Sequence, residues 1–62
     1  AVYLDAVNCF KVCRLQGYIL FDDYTWSEGT KSAIDKFLQE YQTKIIVLKK
    51  NEQVLIQKIK DE

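Results

Sequence analysis

The sequence predicts a small α/β domain, on the strength of three observations. Two stretches repeat apolar residues at helical spacing, and three short stretches are runs of β-branched and aromatic residues. The order is helix, strand, helix, strand, strand, and a short linker joins the last two strands. A chain of 62 residues makes one domain at most. We therefore assign residues 1–62 to a single domain, or to the C-terminal fragment of a larger one.

The first helix is predicted over residues 1–14. Its apolar positions follow the spacing i, i+3, i+4, i+7 and i+10, at Tyr3, Ala6, Val7, Phe10 and Cys13. Gly17 is expected to end the segment, because glycine commonly follows a helix. The two cysteines, Cys9 and Cys13, lie one helical turn apart, which is poor geometry for a disulfide. Two thiols in a chain without histidine do not complete a zinc site. Free thiols favour a reducing, cytoplasmic setting.

A strand and a second helix follow. Residues 18–21, Tyr-Ile-Leu-Phe, are continuously apolar, as is typical of a strand covered on both faces in a parallel sheet. A polar and aromatic loop covers residues 22–29. Residues 30–42 give the clearest amphipathic helix, and Ser27 or Thr30 can cap its start. The predicted buried stripe of this helix consists of Ala33, Ile34, Phe37, Leu38 and Tyr41.

The chain closes with two strands, predicted over residues 44–49 and 53–59. The linker between them is short enough to force antiparallel pairing, and Asn51 is expected to adopt a positive φ in the turn. The strand–helix–strand unit that precedes this hairpin should make a right-handed crossover with its two strands parallel. The sequence thus predicts a three-stranded mixed sheet.

Charge and hydropathy exclude some partners. Nine basic residues balance nine acidic ones, so the net charge is zero. A nucleic-acid-binding domain normally carries a clustered basic face, so we expect no nucleic acid. No apolar run reaches the length of a membrane span, so we expect no membrane. The only local excess of basic residues comes from Lys49, Lys50, Lys58 and Lys60. We expect these lysine side chains to be exposed to solvent and not to form a binding patch.

The segment GYILFDDYTW and the helix after it resemble the C-terminal part of a class I S-adenosylmethionine-dependent methyltransferase, most closely the macrocin-type O-methyltransferase group. The resemblance covers nearly the whole chain. Its most specific part is GYILFDDY, residues 17–24, followed by Gly29 and by Ala33, Ile34, Asp35 and Phe37. The resemblance implies a partial Rossmann-like methyltransferase fold in which the final strand lies antiparallel between the other two and both helices lie on one face of the sheet.

The resemblance also implies a role for the acid pair Asp22 and Asp23. In related O-methyltransferases, carboxylates at the end of this strand help to bind a divalent cation such as Mg²⁺, which prefers oxygen ligands. By this resemblance Asp22 and Asp23 would be metal ligands, and Tyr24 and Trp26 would line the pocket for the methyl acceptor. The alternative is that two aspartates after a strand simply leave the sheet and cap a turn.

These 62 residues lack the glycine-rich loop with which the family binds S-adenosylmethionine, since Gly17 and Gly29 are the only glycines. The chain is therefore predicted to be inactive by itself and to bind neither cofactor nor metal alone. The alternative function is a small non-catalytic interaction module. In either case one sheet face and the edge of strand 18–21 would lack cover, which favours a homo-oligomer or contact with the missing N-terminal half.

Overall fold

The computed structural model describes residues 2–61 of the chain. Helix α1 spans Val2–Val12 and is followed by strand β1 at Tyr18–Phe21. The second helix, α2, spans Glu28–Glu40 and leads to β2 at Ile45–Lys50 and β3 at Val54–Lys58. The predicted order of helices and strands is confirmed. Ser27 rather than Thr30 caps α2, because its hydroxyl oxygen accepts a hydrogen bond from the Thr30 amide at 3.1 Å.

The three strands form one sheet in the order β1-β3-β2. Strand β3 pairs antiparallel with both neighbours, so the expected mixed sheet is wrong. The predicted crossover requires only that β1 and β2 run in the same direction. They do, because each is antiparallel to β3. They do not pair, because β3 lies between them, as the resemblance implied.

Both helices pack on one face of this sheet, as predicted. Every second side chain of β3 points to the helices, and these are Val54, Ile56 and Lys58. Phe37 of α2 is fully buried at the centre, where it stacks on Tyr41 and meets Phe10 and Phe21 edge-on. We call this side of the sheet the covered face. The predicted helix stripes therefore describe the core correctly except at Cys13 and Ala33, which lie outside it.

The other side of the sheet, here called the open face, carries Tyr18, Leu20, Ile46, Leu55 and Gln57. The strand register places Gln57 between Tyr18 and Ile46, and Leu55 beside Leu20. Tyr18 is 63% exposed, Leu20 52% and Ile46 45%. No described element covers this face. The expectation of cover on both faces of β1 is therefore wrong for residues 2–61, because both helices pack on the same side.

Lys58 is the one predicted surface lysine that proves to be buried, with 2% of its area exposed. Its ammonium donates to the carbonyl oxygens of Phe10 at 2.8 Å and Cys13 at 2.9 Å, at the C-terminal end of α1. It also pairs with Asp61 at 3.0 Å. A cation is favourable at a helix C-terminus, where carbonyl groups lack partners. Lys58 thus joins α1 to the central strand.

The turn from α1 into β1 differs from the sequence expectation. Helix α1 ends at Val12, and the residue with a positive φ, 68°, is Gln16 rather than Gly17. Gly17 is required for another reason, because a Cβ atom there would lie 2.9 Å from the Arg14 carbonyl oxygen and the Cys13 sulfur. In the β2–β3 turn, Asn51 does not adopt the expected positive φ. Its side-chain oxygen instead accepts from the Gln53 amide at 3.0 Å.

Cys9 and Cys13 are free, as predicted from their spacing. Within residues 2–61, no helix has the length and apolar character needed to cross a membrane.

Candidate functional site

The acid pair lies where β1 leaves the sheet. Asp22 and Asp23 directly follow the last residue of β1, and both are exposed. The Asp23 carbonyl oxygen accepts from the Trp26 amide at 3.0 Å, which closes a tight turn over residues 23–26. This backbone bond agrees with the alternative that the aspartates form a turn, and it involves neither carboxylate.

Asp22 faces the hairpin that connects β2 and β3. Its carboxylate accepts a hydrogen bond from the side-chain amide of Gln53 at 2.5 Å. The Lys49 ammonium donates to the side-chain amide oxygen of Gln53, Oε1, at 3.3 Å. The three side chains border a shallow polar cleft of about 410 Å³ together with Asn51 and Glu52. The Asp22 side chain is thus held by a hydrogen bond to Gln53, a residue 31 positions away in the sequence.

A second cleft, of about 400 Å³, is lined by both members of the acid pair. Asp22 and Asp23 form its polar wall, and Trp26, which is 79% exposed, stands at its border. Its remaining lining is largely apolar and comes from Val2, Leu20, Phe21, Thr30 and Ile34. The structure thus brings Trp26 together with both aspartates beside an apolar surface.

Tyr24 lies apart from this cleft. It is 5% exposed and belongs to the core, with Lys31 and Lys50 at 5.9 and 5.8 Å from its ring centre. Its hydroxyl donates to the Asp35 carboxylate at 2.5 Å, and this hydrogen bond, with burial, raises the pKa of Tyr24 to about 12. Asp35 also pairs with Lys50 at 3.6 Å. Tyr24 therefore anchors the loop to α2, and its predicted contact with a methyl acceptor stays a prediction.

The donor set can be compared with what a divalent cation requires. In residues 2–61, no three side chains among cysteine, aspartate and glutamate are grouped closely enough to hold a metal ion. Mg²⁺ is often held by only one or two carboxylates, with water completing its shell. Asp22 and Asp23 fit this minimal contribution. The metal role of both aspartates stays a prediction.

Sequence reasoning missed the partners that hold these loops. Gln53 and Lys49 lie in the hairpin, and Asp35 and Lys50 lie on α2 and β2. All four look like ordinary surface residues in the sequence. Only the sheet order, which places β3 beside β1, brings the hairpin turn to the acid pair.

Comparisons with known proteins assign no family to the chain. No family model, no curated protein and no solved structure matches it.

Proposed function

We propose that this chain is the C-terminal segment of an S-adenosylmethionine-dependent O-methyltransferase, and that it does not transfer methyl groups by itself. One arrangement of three features carries the proposal: β3 lies antiparallel between β1 and β2, both helices lie on one face, and an acid pair follows β1. This arrangement is the one that the resemblance of GYILFDDY and the following helix implies for residues 17–59.

In the complete enzyme, Asp22 and Asp23 would hold a divalent cation such as Mg²⁺. The cation would lower the pKa of the acceptor hydroxyl, and the missing part of the protein would bind S-adenosylmethionine. This chain contributes the two carboxylates, and Gln53 fixes the position of one of them. The apolar cleft beside Trp26 would receive the acceptor. Tyr24 would hold the loop in place through Asp35.

A transplant tests the origin of the chain. Residues 17–62 replace the corresponding segment of a macrocin-type O-methyltransferase, and calorimetry measures binding of S-adenosylhomocysteine. We expect the chimera to bind this cofactor product within tenfold of the parent enzyme, while the 62-residue chain alone gives no heat. A matched chimera carries Ile56→Asp, which places a charge in the core of the transplanted sheet and should abolish binding. A first chimera that fails to fold or to bind would contradict the proposal.

The metal assignment has its own test. Mg²⁺ is titrated into the folded chimera and into its Asp22→Asn, Asp23→Asn variant. We expect the variant to bind Mg²⁺ at least tenfold more weakly. An Asp61→Asn variant is the matched control, because this carboxylate lies after the end of β3 and pairs with Lys58. Equal binding by all three proteins would remove the metal role.

A second candidate function is a small non-catalytic module that associates with copies of itself. The exposed apolar side chains of the open face favour it. Covering roughly 400–600 Å² of apolar surface per chain is worth on the order of 10 kcal/mol before the costs of association. The cover would come from a second copy or from the N-terminal half of a larger protein. The free thiols of Cys9 and Cys13 favour a reducing compartment, the cytoplasm, for either function.

Sedimentation of the isolated chain tests the second candidate. The weight-average mass should rise above 7.3 kDa with concentration. The variant Leu20→Lys, Ile46→Lys places two charges on the open face and should sediment as a monomer. Lys49→Ala on the same sheet is the matched control and should associate like the unmodified chain. Equal association of the double-lysine variant would exclude the open face as the interface.

A further inference from the structure

The two edge strands of the sheet differ in how they are protected against pairing. β2 carries a β-bulge between Val47 and Lys49, and its last two residues, Lys49 and Lys50, are charged. Bulges and lysines are devices by which edge strands avoid adding a further strand. β1 has four uncharged residues and pairs with β3 in unbroken register. Within residues 2–61, the outer edge of β1 is therefore the edge that invites a further strand.

The backbone groups on this outer edge can be assigned. The Lys58 amide donates to the Gly17 carbonyl oxygen at 2.9 Å, so Gly17 directs its carbonyl to β3. Backbone groups alternate in direction along an antiparallel strand. Tyr18 and Leu20 therefore direct their N–H and C=O groups outward, away from β3. Their side chains lie on the open face, 63% and 52% exposed. The edge offers two donors and two acceptors beside apolar surface.

We propose that the outer edge of β1 is a homodimer interface, at which β1 pairs antiparallel with β1 of a second copy in a register centred on Ile19. In this register Tyr18 of each copy lies opposite Leu20 of the other, on the same face. Each of these two pairs exchanges two backbone hydrogen bonds. The two sheets become one of six strands. Their open faces join side by side, and the helices of both copies lie on the opposite side.

Charge complementarity favours a second copy as the occupant of this edge. Arg14 precedes β1, and Asp22 and Asp23 follow it. An antiparallel pair brings the start of one β1 to the end of the other. Arg14 of each copy then approaches the acid pair of the other, at both ends of the interface. All three side chains are exposed. The proposal rests on the second candidate function, self-association, because in a complete methyltransferase the missing N-terminal half would cover this edge.

The decisive variant changes a single backbone amide, that of Leu20. A chain of this length can be made by chemical synthesis with an N-methyl group on the Leu20 amide. This removes an outward donor and leaves the side chain and the β1–β3 ladder intact. The dissociation constant measured by sedimentation should rise at least tenfold. N-methylation of Val47 is the matched control, because this residue lies opposite Ile56 with its amide directed outward on the protected edge. It should leave the dissociation constant unchanged.

Amide hydrogen exchange locates the interface independently. The Tyr18 and Leu20 amides should become protected as the chain concentration rises, while the Val47 amide exchanges at the same rate throughout. Far-UV circular dichroism of both N-methyl chains confirms that they fold. The proposal is overturned if the unmodified chain stays monomeric, or if N-methyl-Leu20 leaves the dissociation constant unchanged. Protection of Tyr18 and Leu20 that does not vary with concentration would also overturn it.

Discussion

The two faces of the sheet show how the same kinds of residue can have opposite energetic roles. On the covered face, Val54 and Ile56 of the central strand are fully buried under both helices. On the open face, Leu20 and Ile46 remain about half exposed although they are equally apolar. Burial of an apolar side chain is what makes it stabilising. The covered face therefore holds the monomer together, and the open face contributes only when something covers it.

The largest expected effect is at the centre of the covered face. Phe37→Ala removes a side chain with 0% exposure that contacts three other aromatic rings. We expect a loss of about 3–5 kcal/mol in the free energy of unfolding, measured by urea denaturation. Leu20→Ala on the open face is the control and should cost under about 1 kcal/mol at concentrations where the chain is monomeric. Equal losses would break the comparison between the faces.

Lys58 sharpens the comparison, because it is a charged residue on the covered face. Lys58→Met keeps an unbranched apolar stem but leaves the Phe10 and Cys13 carbonyl groups without their donor. We expect destabilisation by about 1–3 kcal/mol, since buried acceptors would lose a charge-assisted bond. Lys60→Met, at an exposed position, should change stability by less than about 0.5 kcal/mol. A neutral Lys58→Met would show that this lysine only fills space.

Tyr24 gives a prediction in pH. Its pKa is raised to about 12 in the folded chain from an ordinary value near 10, chiefly by the hydrogen bond to Asp35. The unfolded chain therefore loses the Tyr24 proton first as pH rises. The contribution is fully present below pH 10 and is lost as pH increases towards 12. Urea denaturation at pH 9, 10 and 11 should show this decline, and Tyr24→Phe should reduce it. An identical decline in the variant would contradict the assignment.

The smallest expected effect is a gain in stability at Gln16. This residue holds a φ of 68°, a region that glycine adopts without steric cost. Gln16→Gly should stabilise the chain by about 0.5–1 kcal/mol. Gln57 donates only to the Gln16 backbone carbonyl, so that bond survives the change. Leu15→Gly is the control and should destabilise the chain, because its φ is not positive. A loss of stability in Gln16→Gly would contradict this account of the turn.

Much of the fold could be predicted because the spacing of apolar residues along the sequence shows which side of each helix or strand is buried. The stripes of both helices and the limits of β1 agree with the spacing of apolar residues. The pairing of the strands could not be predicted from the strand–helix–strand unit. A crossover sets the relative direction of its two strands but does not determine whether they are neighbours in the sheet. The burial of Lys58 had a signal that was missed. It shares the period of two with Val54 and Ile56, so its stem belongs to the covered face.

Less of the candidate site could be predicted. The acid pair and Trp26 do lie together beside a cleft, as expected of residues in one short loop. Tyr24, only one position from the acid pair, is instead buried against α2. Its direction depends on Asp35 and Lys50, which are distant in sequence. Local pattern carries no information on such long-range partners.

The most direct test of the central claim, that the chain associates with a second copy through the outer edge of β1, is sedimentation equilibrium of the unmodified chain over a wide concentration range. We predict that the weight-average mass rises from 7.3 kDa towards twice that value. A mass that stays at the monomer value at every concentration would contradict the claim.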